Sequence, residues 1–223
     1  MTKKSFQAIA RASFWAGPAL FVWLMFWPQP YALPIAIALA MPWIAVLLVL
    51  NSRGAISLGL EDRAGRDSLS GIFILPSLTL FLRGMLDFTF LDTSRLIILT
   101  LVIAAALALV LTRLLPKSPA HWGEWALLTL VTLGYSYGAL VQLDTLPDRA
   151  VSQIYRATVS GKHIAHGKSW SYYLDLAPWG PDQEKSSARV PAGLYARIQP
   201  GMQVCAALHP GFIGMRWYDV DLC

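Results

Sequence analysis

Residues 96–111 read LIILTLVIAAALALVL and contain no charged side chain. With its flanks this run covers about 95–115, and a helix needs about 20 mostly apolar residues to cross the hydrocarbon core of a bilayer. Four more runs of similar length and composition lie near 12–28, 32–50, 69–88 and 124–143. The sequence therefore predicts a membrane α-helical bundle of about five transmembrane helices over residues 1–143.

The composition differs sharply between the two parts of the chain. All 223 residues together are 56% hydrophobic and 14% charged, whereas soluble domains carry about 25% charged residues. Residues 144–223 nevertheless hold eight Lys or Arg and seven Asp or Glu, and they lack long apolar runs. This part is predicted to be a nearly neutral, water-soluble module. Because such a module has no basic surface for a phosphate backbone, nucleic acid is excluded as a partner.

Basic residues in the loops are concentrated on one side of the predicted bundle. On the other side of the bundle, Arg95 is the only basic residue in the loops. The basic residues on the first side are Lys3, Lys4, Arg11, Arg53, Arg63, Arg66, Arg113 and Lys117. Since Lys and Arg accumulate in cytoplasmic loops, the N-terminus is predicted to be cytoplasmic. Five crossings then place residues 144–223 in the periplasm of a bacterial inner membrane. If 69–88 only lies in the membrane interface, four crossings remain and the module is cytoplasmic.

Short alternating segments follow the last apolar run. Polar and apolar residues alternate over 153–159, 169–176, 187–190, 202–208 and 215–222, as half-buried strands require. Residues 192–198 are typical of one helical turn, and Gly-Pro or Pro-Gly pairs mark the turns. Five short strands with one helical turn predict a small five-stranded β-barrel of the OB or SH3-like kind over residues 144–223.

The chain contains two cysteines, and both lie in this module. Cys205 is in the middle of the fourth predicted strand, and Cys223 directly follows the fifth. An antiparallel pairing of these strands brings the two residues near each other, and an oxidising compartment permits a disulfide between them. The alternative is one buried free thiol and one thiol at a frayed terminus.

Small residues recur at helical spacing in the last two apolar runs. Gly134 and Gly138 are four residues apart in the fifth run, and alanines are spaced similarly in the fourth. Such patterns let two helix backbones approach closely. They predict a contact between these two helices, or with a second copy of the chain.

Few side chains fit a catalytic or metal-binding pattern. The sequence contains no HExxH, phosphate-binding loop, GxSxG or dinucleotide fingerprint, so no catalytic residue and no cofactor are predicted. His163 and His166 are weak metal candidates, because no Cys, His or carboxylate lies at a matching spacing. Arg83 and Asp87 form a polar pair four residues apart in the third run. This pair either has a substrate or proton role or anchors the helix end at the interface.

The last part of the chain carries a set of turn glycines, strand aromatics and proline-glycine turns. These are Gly161-Lys162, Tyr172-Tyr173-Leu174, Val190-Pro191, Tyr195, Pro200-Gly201, Val204, Pro210-Gly211, Gly214 and Trp217-Tyr218. The set resembles a small C-terminal β domain of bacterial multi-pass inner-membrane proteins. The resemblance covers roughly the last 70 residues, implies an inner-membrane protein with a periplasmic β module, and implies no activity.

These features favour an interaction role over an enzymatic one. The leading hypothesis is a scaffold or accessory subunit, with the lipid bilayer, another envelope or membrane protein, or a second copy as partners. A transporter or channel component is an alternative, with Arg83, Asp87 and Gln142 as its polar sites. A membrane enzyme acting on lipid or envelope polymer is another, with Asp92, His163, His166 and His209 as the groups to test.

Overall fold

The computed structural model describes residues 3–52, 56–58, 67–114, 122–166, 170–184 and 186–223. Arg53, Arg63, Arg66 and Lys117, which bear on the predicted orientation, lie outside these ranges. The chain forms two compact units. The helical unit comprises Met1–Leu86 and Leu96–Gln142, and the β unit comprises Asp87–Arg95 and Leu143–Cys223.

Five long helices account for the apolar runs. They are α1 (Lys3–Phe26), α2 (Ala32–Asn51), α3 (Ser70–Asp87), α4 (Thr93–Leu114) and α5 (Trp122–Thr145). Within the described residues, four of them, α2 to α5, are long and apolar enough to cross a membrane. The predicted count of about five is corrected to four, because only Ala12–Phe26 of α1 is apolar and the helix begins with polar and basic residues. Four such helices suggest a multi-pass membrane protein.

Close contacts fix the direction of α3 relative to α1 and α5. Gly17 of α1 lies against the backbone of Gly71, and further along both helices Arg83 reaches Leu24. Gly138 of α5 lies against the backbone of Leu80, and one turn later Gly84 meets Val141. Residue numbers increase together in both pairs, so α3 runs parallel to α1 and α5 over much of its length. This direction favours a crossing helix over one that lies along the interface.

Hydrogen bonds join α2 and α5 in the opposite direction. The Gln142 side-chain amide donates to the Tyr31 hydroxyl (3.1 Å). The Tyr135 hydroxyl donates to the Leu39 carbonyl (2.9 Å) and accepts from the Trp43 indole (2.8 Å). As residue numbers rise in α2 they fall in α5, so the two helices are antiparallel. Gly134 and Gly138 of α5 pack on Phe81 and Leu80 of α3. Of the two partners that their spacing predicts, α4 and a second copy, the structure thus replaces α4 by α3.

The β unit is built on a six-stranded antiparallel sheet in the order β3-β8-β7-β4-β5-β6, which is nearly closed and barrel-like. Its strands are β3 (Thr89–Phe90), β4 (Gln153–His166), β5 (Trp170–Leu176), β6 (Ser186–Val190), β7 (Gln203–His209) and β8 (Trp217–Asp221). A short helix, α6 (Ala192–Arg197), joins β6 to β7, and a two-residue parallel pair, β1 (Ile56–Ser57) with β2 (Asp67–Ser68), belongs to the helical unit. The prediction of five strands is corrected to six, because β3 comes from the α3–α4 connection and pairs with β8.

Strand β4 takes part in both halves of this sheet. Residues 153–158 pair with β7, and residues 159–166 pair with β5, with a change of register between Val159 and Gly161. The change of partner bends the sheet around a core of alternate apolar residues. That core includes Val159, Leu174, Leu176, Val204, Ala206 and Trp179.

Candidate functional site

Arg83 is tied to the end of another helix. Its Nε donates to the Leu24 carbonyl (2.9 Å), and its Nη2 lies 3.5 Å from the Met25 carbonyl. These carbonyls belong to the last turn of α1, where helix acceptors lack intrahelical donors and the macrodipole favours a cation. Asp87 is the last residue of α3. The guanidinium thus serves as a C-terminal cap of α1.

The two candidate histidines of the β4–β5 hairpin do not come together. His163 pairs with Tyr173 and His166 with Trp170, and positions three apart on a strand point to opposite faces. The His163 ring stacks on Tyr173 (centroids 5.1 Å apart), and the His166 ring meets Trp170 edge-on (4.7 Å). Within the described residues, no group of three His, Cys, Asp or Glu side chains is placed to hold a metal.

His163 instead belongs to a polar cluster across β4, β5 and β6. Its Nδ1 lies 3.2 Å from one oxygen of Asp175, and the Ser187 hydroxyl donates to that same carboxylate (2.5 Å). The Ser187 hydrogen bond, aided by His163, lowers the pKa of Asp175. In a catalytic triad the histidine lies between serine and acid, whereas here the acid lies between the other two. The cluster therefore presents a stabilised carboxylate and does not activate Ser187 as a nucleophile.

Ser187→Ala is expected to raise the pKa of Asp175, because it removes the largest cause of the lowering. A carboxyl with a lowered folded pKa stabilises the fold above its unfolded pKa of about 3.9, and that stability is lost as pH falls through the folded pKa. The variant should therefore unfold at higher pH on acidification. Carboxyl-carbon NMR titration measures the pKa.

Ser160→Ala is the matched control for this titration. The Ser160 hydroxyl donates to the main-chain carbonyl of Asp175 and not to its carboxylate (3.0 Å). This control should leave the pKa of Asp175 unchanged. An equal shift in both variants, or none in Ser187→Ala, contradicts the assigned cause.

A second cluster surrounds the segment Pro210–Arg216, which we name the junction loop. Asp144, in the last turn of α5, is fully buried and accepts three hydrogen bonds from the loop. Its carboxylate takes the N–H groups of Ile213 (2.6 Å) and Met215 (3.5 Å), and its main-chain carbonyl takes the Phe212 N–H (2.8 Å). Asp148 accepts the Gly211 N–H (2.9 Å). The loop's backbone is thus held against the C-terminal end of α5.

The other end of the junction loop is held by residues around the start of α4. Arg216 donates two hydrogen bonds to the Asp92 carboxylate, each 2.9 Å. Arg95, in the first turn of α4, donates to the Gly214 carbonyl (2.9 Å). The hydrogen bonds from Arg216 lower the pKa of Asp92. Asp92, one of the groups named by the enzyme hypothesis, therefore forms an ion pair with Arg216.

His209 lies beside the junction loop, at the end of β7. Its ring stacks on Trp217 with centroids 3.9 Å apart, and its Nε2 lies 3.2 Å from an oxygen of Asp219. Phe88 meets the same Trp217 edge-on (5.4 Å). These contacts fix the end of the sheet where β3 joins β8.

Together these bonds place the start of α4 and the end of α5 beside one loop. The sequence did not reveal the arrangement, since Asp92, Asp144 and the loop are separated by 50 or more positions. One local signal was available: a carboxylate in the last turn of a helix opposes the macrodipole and needs donors from elsewhere.

Gly211→Ala is expected to destabilise the β unit strongly. Gly211 has φ +73°, and a Cβ there would overlap both Oδ2 of Asp144 and the carbonyl of Met215. The positive φ alone costs about 1–2 kcal/mol, and overpacking adds about 1–3 kcal/mol. Gly201→Ala is a matched control, because Gly201 has φ +90° but open space around its Cβ. Equal thermal shifts in the two variants would rule out close packing at Gly211.

The two cysteines are joined in a disulfide. Cys205 lies in β7 opposite Asp221 of β8, and Cys223 follows two residues later. The Cα atoms are 4.9 Å apart, within the range that a disulfide can span. The bond ties the end of the chain to the middle of β7.

Comparison with known proteins gives no match to a family model, to a curated protein or to a solved structure. The functional conclusion is therefore drawn from the residues and their geometry.

Proposed function

We propose that this chain is a multi-pass inner-membrane protein whose β unit lies in the periplasm as an interaction module, that is, a scaffold or accessory subunit. We assign the β unit to the small OB or SH3-like barrels, with β3 as an added strand. Three observations support the location. The basic residues are concentrated at the start of α1 and in the α2–α3 and α4–α5 connections. Helices α1, α3 and α5 run parallel. Cys205 and Cys223 form a disulfide, which is typical of an oxidising compartment.

The observation that carries the interaction role is the aromatic surface at the far end of the β4–β5 hairpin. It comprises His166 and Trp170, whose rings meet edge-on on one face of the hairpin, and we call it the hairpin surface. Trp170 leaves 61% of its surface exposed, an uncommon position for the largest apolar side chain. Trp and Tyr dominate the residues that contribute most to protein–protein binding. The hairpin surface and the first residues of β4 lie at opposite ends of this strand.

Location is tested with a reporter that is active only outside the cytoplasm, fused after Cys223. We expect activity from this fusion and none from the same reporter placed after Asn51, the last residue of α2. No activity from either fusion would place the β unit in the cytoplasm. Such a result would favour the topology in which residues 69–88 only lie in the membrane interface.

The interaction role is tested by purification of the full chain in mild detergent. A partner, either a second protein or a second copy, should be present in stoichiometric amount. Trp170→Ala should weaken its retention by about 30-fold, the equivalent of a 2 kcal/mol hot-spot residue. Ile154→Ala is the control, because Ile154 is also largely exposed (69%) but lies at the opposite end of β4. Full retention by Trp170→Ala, or turnover of lipid or envelope polymer by the pure chain, contradicts the proposal.

A further inference from the structure

We infer that the tip of the junction loop inserts into the lipid headgroup region, so that the β unit contacts the membrane surface directly. The inference rests on the proposed function, since it requires α5 to be a membrane-spanning helix. Phe212 and Ile213 form the tip of the loop and expose 69% and 39% of their surfaces. Two consecutive exposed apolar residues mark a contact surface. Their place in the fold indicates that this surface contacts lipid.

The hydrogen bonds to Asp144 set the depth of the loop. The N–H groups of Phe212 and Ile213 both bond to Asp144, one turn or less from the end of α5 at Thr145. A helix that spans a bilayer ends in the headgroup region, where its last polar residues leave the hydrocarbon. The backbone of Phe212 is held at that level. Its ring therefore lies where aromatic and apolar interfacial anchors are found.

Residues near the loop fit a lipid surface and not a protein pocket. Leu146 and Val151, on the segment that follows α5, are also exposed, by 37% and 92%. Arg95 and Arg149 are exposed basic side chains on the two segments bonded to the loop. Apolar tips next to basic side chains match acyl chains beneath anionic headgroups, which attract basic residues near the surface.

Depth-dependent quenching tests this contact in the full chain. Phe212→Cys supplies a single free thiol, because both natural cysteines are in the disulfide. The thiol carries an environment-sensitive fluorophore, and the chain is placed in nanodiscs of phosphatidylethanolamine and phosphatidylglycerol. Some discs contain a phospholipid with a nitroxide near the glycerol end of its acyl chain. Two further variants provide references: Leu101→Cys on the exposed face of α4 and Trp170→Cys on the hairpin surface.

The expected result is a loss of emission at positions 212 and 101 with the nitroxide lipid, and none at position 170. Quenching at 101 but not at 212 would overturn the loop contact while leaving the membrane protein in place. So would protection of 212 from a water-soluble quencher without quenching by lipid, since that pattern indicates a protein partner. Failure of quenching at 101 would instead overturn the proposed function itself.

Discussion

Gly138→Leu is expected to prevent the helical unit from folding. A Cβ at this position would lie 2.6 Å from both the Leu80 carbonyl oxygen and the Phe81 nitrogen of α3. Real Cβ contacts are longer, and both obstructing atoms belong to the backbone, so no side-chain rotation relieves the overlap. The two helices must separate. Gly138→Ala already forces some separation and should cost about 1–3 kcal/mol, and leucine should cost more.

The same helix supplies a control for this substitution. Gly123 lies in the first turn of α5, and a Cβ there meets nothing within 4 Å. Gly123→Leu should therefore elute as a monodisperse species in detergent and unfold at the temperature of the unchanged chain. Gly138→Leu should aggregate or elute as a broad peak, with Gly138→Ala intermediate in unfolding temperature. A normal unfolding temperature for Gly138→Leu would show that α3 and α5 are not in backbone contact.

The contact at Gly138 illustrates how far the sequence predicts the bundle. Apolar length alone located α2 to α5 within a few residues, because lipid as solvent requires a long, mostly apolar run. The small-residue spacing correctly indicated a close helix approach. It did not identify α3 as the partner, since helices in a membrane choose partners by shape and not by a pattern visible along one chain.

The sequence likewise predicts most of the sheet but not all of it. The alternation of polar and apolar residues located five of the six strands of this sheet, because one face of each is buried. It ended β4 at Val159, since Gly161 resembles a turn residue, but Gly161 lies at the bend where the strand changes partner. It missed β3 entirely, because two residues, Thr89 and Phe90, are too few to alternate.

The polar clusters were the hardest features to predict. The histidines of the hairpin were visible as candidates, but Asp175, which accepts from both His163 and Ser187, was not. Pairings of this kind depend on strand register, and a shift of one residue would send Asp175 to the other face. The hydrogen bonds of Asp144 could not be predicted from the sequence either, because their donors are backbone N–H groups, which nearly every residue has.

Cys223→Ser is expected to lower the stability of the β unit by about 3 kcal/mol, the chain-entropy value for a loop of this size. The disulfide closes an 18-residue separation that contains the junction loop and β8. Without it the unfolded chain gains freedom, and the last residues of the chain lose their tie to β7. For a unit of this length, each kcal/mol shifts the unfolding temperature by about 4–8 °C, so a fall on the order of 15 °C is expected. Thermal unfolding of the full chain in detergent measures it.

Comparison of the single and double variants separates loss of the bond from loss of a side chain. Cys205→Ser, Cys223→Ser and the double variant should have equal stability, because either change alone removes the whole bond. Ala207→Ser, on the same face of β7, controls for a new hydroxyl and should have little effect. Reductant should lower the stability of the unchanged chain to that of the variants and leave the variants unaffected. If reductant has no effect on the unchanged chain, the thiols are not bridged, and the disulfide no longer supports an oxidising location for the β unit.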